Sequence, residues 1–211
     1  MIPHKTESYG EQKDPEENNE IPHCTLKMFP EETLHCVEWA KDMLGSFFGV
    51  NPQNFNKLKS AHLDEIGFSN FEEVKNINKA IKMAKKRPKD FSDCVEIAVN
   101  KFYKLFRDNI LQLILVYPLD KMNPDGRPFW SLPKREPSPQ DFNAEDSLHR
   151  CFIAAYSCLL ANMYGVEIPY DQPRSEDAKQ RIAEIARLVE PPIFVPNAEK
   201  ARAIQSQVDK E

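Results

Sequence analysis

Apolar residues recur every three or four positions along most of the chain, and strict alternation is almost absent, so the pattern predicts helices joined by proline-marked breaks. After Pro30, in the favoured first-turn position, Leu34, Val37, Ala40, Leu44, Phe47 and Phe48 share one face, and Asn51-Pro52 is expected to punctuate the helix. A second helix over about 70–87 places Phe71, Val74, Ile77, Ile81 and Ala84 inward and Lys79, Lys82, Lys85 and Lys86 outward. A third, N-capped by Ser92, buries Cys94, Val95, Ala98, Phe102, Leu105 and Phe106. Asp108-Asn109 is expected to break it before the apolar run Ile110 to Tyr117, which Pro118 ends.

Between Asn123 and Phe142 the periodicity vanishes. Pro124, Pro128, Pro133, Pro137 and Pro139 cannot sit inside a helix, so this stretch reads as a long loop pinned to the body by Phe129 and Trp130. A helix over about 145–164 turns Leu148, Cys151, Phe152, Ala155, Cys158, Leu159 and Met163 inward. Another over about 175–189 ends at Pro191-Pro192, after which Ile193-Phe194-Val195 reads as a short strand. The fold class is mostly α, a multi-helix domain with a Pro-rich loop and extended termini.

Composition narrows the function. The six glycines form no G-x-G-x-x-G and no phosphate loop, so the chain carries no nucleotide cradle of its own. A formal charge of −5 argues against a nucleic-acid binder held by bulk electrostatics. The longest apolar run falls far short of the roughly 20 residues that span a bilayer. Residues 1–22, with Glu7, Glu11, Asp14, Glu16, Glu17 and Glu20 between prolines, read as a linker or arm.

Five cysteines, odd in number, read as thiols of a reducing compartment rather than a disulfide framework. Cys94, Cys151 and Cys158 recur with the apolar residues and read as small buried hydrophobes, as does Cys36 on the flank of the first helix. Cys24 differs: it lies between Pro22 and Pro30, outside any helical face, which makes it the candidate nucleophile. His23-Cys24 and His35-Cys36 match no zinc-finger spacing, and His23 points away from Cys24 in an extended segment, which disfavours a protease pair. No metal site is expected.

The segment Ile21-Pro22-His23-Cys24-Thr25-Leu26-Lys27-Met28-Phe29-Pro30, followed by His35 and Trp39-Ala40-Lys41, closely resembles the catalytic-cysteine segment of eukaryotic ubiquitin-activating enzymes. Lys5 to Tyr9 and Asp14-Pro15 resemble that family's crossover from its adenylation domain, and Gly126, Phe129-Trp130-Ser131 and Pro133-Lys134-Arg135 resemble its loop. Phe194-Val195-Pro196 resembles the return. The sequence departs at His23, where relatives carry an apolar residue, and over 59–90 and 166–190.

The resemblance implies the second catalytic-cysteine half-domain of a larger enzyme, with 1–20 as crossover, 21–196 as the half-domain and 197–211 as the return segment. It implies that Cys24 takes ubiquitin from its adenylate as a thioester and passes it to a ubiquitin-conjugating enzyme. ATP and Mg would belong to the adenylation domain, a partner in the same chain, and the 211 residues alone are expected to be inert. Cytoplasmic and nuclear localisation follows from the same resemblance. Lys27 and the helix N-terminus at Pro30 are the local sources of positive field, and Thr25 a donor to the developing oxyanion. For both residues the plain reading stays open: Thr25 satisfying local backbone, Lys27 solvated. Two readings of the whole remain: the thioester nucleophile, or a non-catalytic helical module lining the groove for ubiquitin or the conjugating enzyme.

Overall fold

The computed structural model describes residues 29–60 and 71–202. Among them are seven α-helices: α1 (Thr33–Gly45), α2 (Asn51–Ser60), α3 (Phe71–Lys85), α4 (Phe91–Tyr103), α5 (Asn109–Val116), α6 (Ser147–Tyr164) and α7 (Glu176–Arg187). No strand occurs among the described residues, and the only strand-like pairing is a single bridge between Met122 and Pro128. The mostly α expectation holds.

Two expected breaks are instead π turns. Asn51-Pro52 does not end the first helix: residues Ser46–Val50 widen into a π turn, and Asn51 N–H donates to Ser46 five residues back. Proline at 52 lacks an N–H and crowds the preceding turn, and the wider turn accommodates both defects while the helix runs on. Asp108-Asn109 is bridged in the same way by the π turn Lys104–Asp108, with Asn109 N–H donating to Lys104. The Phe106 carbonyl in that turn accepts from the Gln140 N–H at 2.8 Å, tying down the end of the Pro-rich loop.

α4, α6 and α7 form the body. Phe91, Cys94, Val95, Ala98, Val99 and Phe102 of α4 close on Ile153, Ala154, Leu160 and Ala161 of α6 and on Ile182 and Ala186 of α7. Caps fix where each begins. Asp90, not Ser92, caps α4 through Asp93 N–H at 2.9 Å; Asp146 caps α6 through two amides, and Ser175 caps α7 through Ala178 N–H. Those two amide bonds also hold the Asp146 carboxyl below its ordinary value. Gly165, at φ +67°, ends α6 in the left-handed conformation.

α6 corrects the face expected of it. Ile153, Ala154, Ser157, Leu160 and Ala161 are buried, whereas Leu148 is 76% exposed and Cys151 is exposed. Of the residues expected inward, Phe152, Cys158 and Met163 do pack against the core, so periodicity alone finds the edge of the buried face and misses its centre. Likewise Leu34, Val37 and Leu44 of α1 are all more than half exposed, and α1 buries no residue fully. The expected strand at 193–195 is extended chain without a ladder partner, with Ile193 and Val195 outward.

Candidate functional site

Cys24, Thr25 and Lys27 lie outside the described residues, as does His23. The site is therefore built from what borders them, beginning at Phe29. Phe29 enters a second, smaller core formed around Val116, Tyr117 and Ala201, with Leu113, Phe129 and Trp130 packed against it. Tyr117 and Phe129 stack with ring centroids 4.7 Å apart, and Phe29 meets both edge-on, at 5.3 and 5.7 Å.

The Pro-rich loop delivers this box because its backbone is closed on itself. Phe129 N–H donates to Lys121, Asn123 N–H to Arg127, and Gly126 N–H to Asn123, all at 2.8–2.9 Å. Gly126 turns the tip at φ +81°, a left-handed conformation open to glycine. Trp130 donates its indole N–H to the Tyr117 carbonyl at 3.0 Å. Phe129 and Trp130 thus pin the loop as expected, and they pin Phe29 with it.

Two ammonium groups flank the box. Lys134 Nζ stands 4.4 Å from the Phe129 centroid and 5.3 Å from that of Phe29, and Lys121 Nζ stands 4.6 Å from that of Tyr117. Neither lysine was singled out from the sequence as a source of positive field. The signal was present in Pro133-Lys134-Arg135, but only the folded loop returns Lys134 to Phe29.

The N-terminus of α1 is occupied by its own residues. His35 Nδ1 accepts from Glu31 N–H at 3.1 Å and Glu32 N–H at 3.3 Å, while the Glu32 carboxylate takes the amide of His35 in a capping box. His35 carries its proton on Nε2 to do this. With Glu31 and Glu32 at that end, the helix offers less positive field than its position suggests. Trp39 sits on the opposite turn, edge-on to Phe106 at 6.4 Å. Lys41 pairs with Glu38 in solvent.

The C-terminal return joins the same region. Gln112 and Asn197 exchange two hydrogen bonds, and Arg107 Nη2 donates to the Pro192 carbonyl at 2.6 Å. Arg107 is oriented by Asp108, which is buried beside it, and lies over the Tyr103 ring. Asn197 Oδ1 then caps a helical turn at 198–202 that places Ala201 in the small core.

The other cysteines separate by environment. Burial, reinforced by Asp93 and Asp90, pushes the Cys94 thiol up to about 11, and burial raises Cys158 as well, so neither supplies thiolate near neutral pH. Cys36 and Cys151 are exposed, which corrects their reading as buried hydrophobes. Among the described residues no group of three or more His, Cys, Asp and Glu is placed to hold a metal ion. No described helix is long and apolar enough to cross a membrane.

Residues 30–211 match the family described as Ubiquitin-activating enzyme, SCCH domain. The chain is 36% identical over 200 residues, 90% of its length, to Ubiquitin-like modifier-activating enzyme 6 of Homo sapiens, of which it covers 18%. It is 37% identical over 170 residues, 79% of its length, to Ubiquitin-like modifier-activating enzyme 1 of Dictyostelium discoideum, of which it covers 17%. It is 31% identical over 204 residues, 94% of its length, to the enzyme 1 of Homo sapiens, again covering 18% of that protein. The chain thus spans under a fifth of the length of these curated relatives. A helical body, an aromatic box that seats the chain at Phe29 and a match over 30–211 lead to one conclusion: the chain belongs to the SCCH-domain family of ubiquitin-activating enzymes.

Proposed function

We propose that the chain supplies the cysteine nucleophile of a ubiquitin-activating enzyme, and that the nucleophile is Cys24. The observation that carries this is the motif Ile21–Pro30 set in a chain of this family. The match to the human enzyme 1 leaves only about 13 residues of this chain outside it, fewer than precede Cys24, so the match runs across that position.

The chemistry follows from the residue. The Cys24 thiolate attacks the carbonyl carbon of a modifier's C-terminal acyl adenylate, a C–S bond forms, and the C–O bond to AMP breaks as AMP leaves with the electron pair. The thiolate of a conjugating enzyme then attacks the thioester carbonyl, and Cys24 departs as thiolate. ATP and Mg act in an adenylation domain elsewhere in the polypeptide, and ubiquitin, that adenylation domain and the conjugating enzyme are the partners. Cytoplasm and nucleus are the compartments this reading implies.

Five residues of chain link Cys24 to Phe29, and a chain extends at most about 3.6 Å per residue, so Cys24 acts within about 18 Å of the aromatic box. Lys27, three residues from Cys24 in the motif, is the source of positive charge that would favour thiolate. The domain divides as crossover over 1–20, half-domain over 21–196 and return over 197–211.

Cys24→Ala in the enzyme that contains this sequence tests the reading. Adenylate still forms and the thioester is lost; a thioester that persists refutes Cys24 as nucleophile and leaves the interaction module. The 211 residues alone, given ATP and ubiquitin, form neither product.

A further inference from the structure

The Pro-rich loop is fastened on both sides of a short free stretch. Upstream, Trp130 donates to the Tyr117 carbonyl at 3.0 Å. Downstream, Gln140 N–H reaches the Phe106 carbonyl at 2.8 Å, and Asn143 N–H reaches His149 Nδ1 at 3.0 Å. Between these anchors, residues 135–139 take part in no backbone–backbone hydrogen bond. Pro137 and Pro139 fix their own φ and hold the stretch extended. Both prolines are half-buried, whereas Arg135, Glu136 and Ser138 are exposed. Among the described residues, Ser138 is hydrogen-bonded by Gln140 alone, whose exposed side-chain amide donates to its carbonyl at 3.1 Å and to its Oγ at 3.2 Å.

An extended backbone with free N–H and C=O groups and a hydroxyl open to solvent is the form in which a serine enters a protein-kinase cleft. The sequence around Ser138 agrees with its geometry. Pro139 follows it, and this is the single Ser-Pro or Thr-Pro dipeptide in the 211 residues. Kinases that bond the N–H after the serine refuse proline there, because proline has none, so Pro139 selects the proline-directed class. Arg135 stands three residues upstream, where a carboxylate in the kinase can pair with its guanidinium. We propose that Ser138 is a phosphorylation site for a proline-directed protein kinase that also selects this arginine.

In the step, Ser138 Oγ attacks the γ-phosphorus of ATP held by the kinase. A new O–P bond forms, the bond from that phosphorus to ADP breaks and ADP leaves with the electron pair, and the hydroxyl proton passes to the kinase's base. Lys134, Arg135, Glu136 and Asp141 leave this part of the loop balanced, and the phosphate takes it to about −2. The nearby cations are already engaged: Arg107 by Asp108 and the Pro192 carbonyl, Lys134 by the rings of Phe29 and Phe129. The phosphate therefore adds charge beside the aromatic box without cross-linking the fold. The inference stands on the loop and is independent of the role of Cys24.

Incubation of the chain with such a kinase and Mg-ATP, followed by peptide mapping, tests it. One phosphate per chain is expected, on Ser138, and none in Ser138→Ala. Pro139→Ala and Arg135→Ala should each slow the reaction about tenfold or more, in the chain and in a synthetic peptide of residues 130–143 alike. That peptide is the unfolded reference, and the folded chain should react with a kcat/KM within about threefold of it. A chain left unmodified where the peptide is modified, phosphate at another residue, no phosphate on either, or a rate indifferent to both Pro139→Ala and Arg135→Ala overturns the proposal.

Discussion

The side-chain amide of Gln112 and the backbone of Asn197 hold each other by reciprocal hydrogen bonds of 3.0 and 2.8 Å across 85 positions of sequence. Gln112 is 9% exposed, so its side-chain amide loses water to make the pair. Gln112→Leu keeps the bulk and removes both bonds, leaving the Asn197 N–H unmatched while its carbonyl keeps the bond from Ala201 N–H; the loss costs about 2 kcal/mol. For a domain of this size that lowers Tm by about 4–8 °C. Calorimetry reads the total, and exchange at Asn197 N–H rises while the Val95 amide in the core stays protected. An unchanged Tm would mean that Arg107 alone holds the return segment.

Helix existence was legible in the sequence because caps and periodicity act locally: α3, α4, α6 and α7 lie where the pattern places them. The errors have one source. α6 carries apolar residues on two sides, and only tertiary packing decides that Ile153 and Leu160 are buried and Leu148 is not. The same ambiguity misplaced Cys151. The breaks expected at Asn51-Pro52 and Asp108-Asn109 do not occur, because a π turn absorbs an N–H-deficient or polar pair without a sequence mark of its own. At the candidate site, Phe129 and Trp130 were legible as pins. That Phe29 joins them in one box with Tyr117 and Lys134 depends on contacts about 90 or more residues apart along the chain, beyond what local pattern encodes.

Cys94 makes stability fall at alkaline pH. Its thiol is 0% exposed and stands at about 11, against an ordinary value of 9.0 in the unfolded chain. Between those values the unfolded state has released a proton that the folded state retains, so folding loses about 2–3 kcal/mol as pH rises from 9 to 11. Lys101, lowered to about 8, acts with the opposite sign from pH 8 upward, and Tyr156, raised to about 12, adds to the loss above pH 10. Comparison with Cys94→Ala isolates the thiol: between pH 8 and 10.5 the urea midpoint of the wild type should drop relative to that of the variant. An unchanged difference between the two would count against the burial of Cys94.

Alkylation should sort the described cysteines by access. Cys36 and Cys151 are exposed, Cys158 is half-buried with its thiol raised, and Cys94 is enclosed. Timed labelling with iodoacetamide and peptide mapping should show Cys36 and Cys151 modified early, Cys158 later and Cys94 only on unfolding. Early labelling of Cys94 would place α4 outside the core.

Phe29 gives the last prediction, because it couples the small core to the chain that carries Cys24. Its ring touches Tyr117, Phe129 and Trp130 at centroid distances of 5.3–5.8 Å, and Lys134 lies 5.3 Å away. Phe29→Ala removes a half-buried ring and costs about 2 kcal/mol of stability, less than a fully buried phenylalanine. Phe29→Leu refills most of the volume and costs about 1 kcal/mol. A purely structural role would scale any functional loss with those figures. If the box also sets where Cys24 can reach, the enzyme containing Phe29→Ala keeps its rate of adenylate formation and loses thioester formation by about tenfold or more, since a small misplacement of a nucleophile is costly. Single-turnover assays that follow AMP-adduct and thioester separately distinguish the two. Loss of both in parallel would reduce Phe29 to a folding residue.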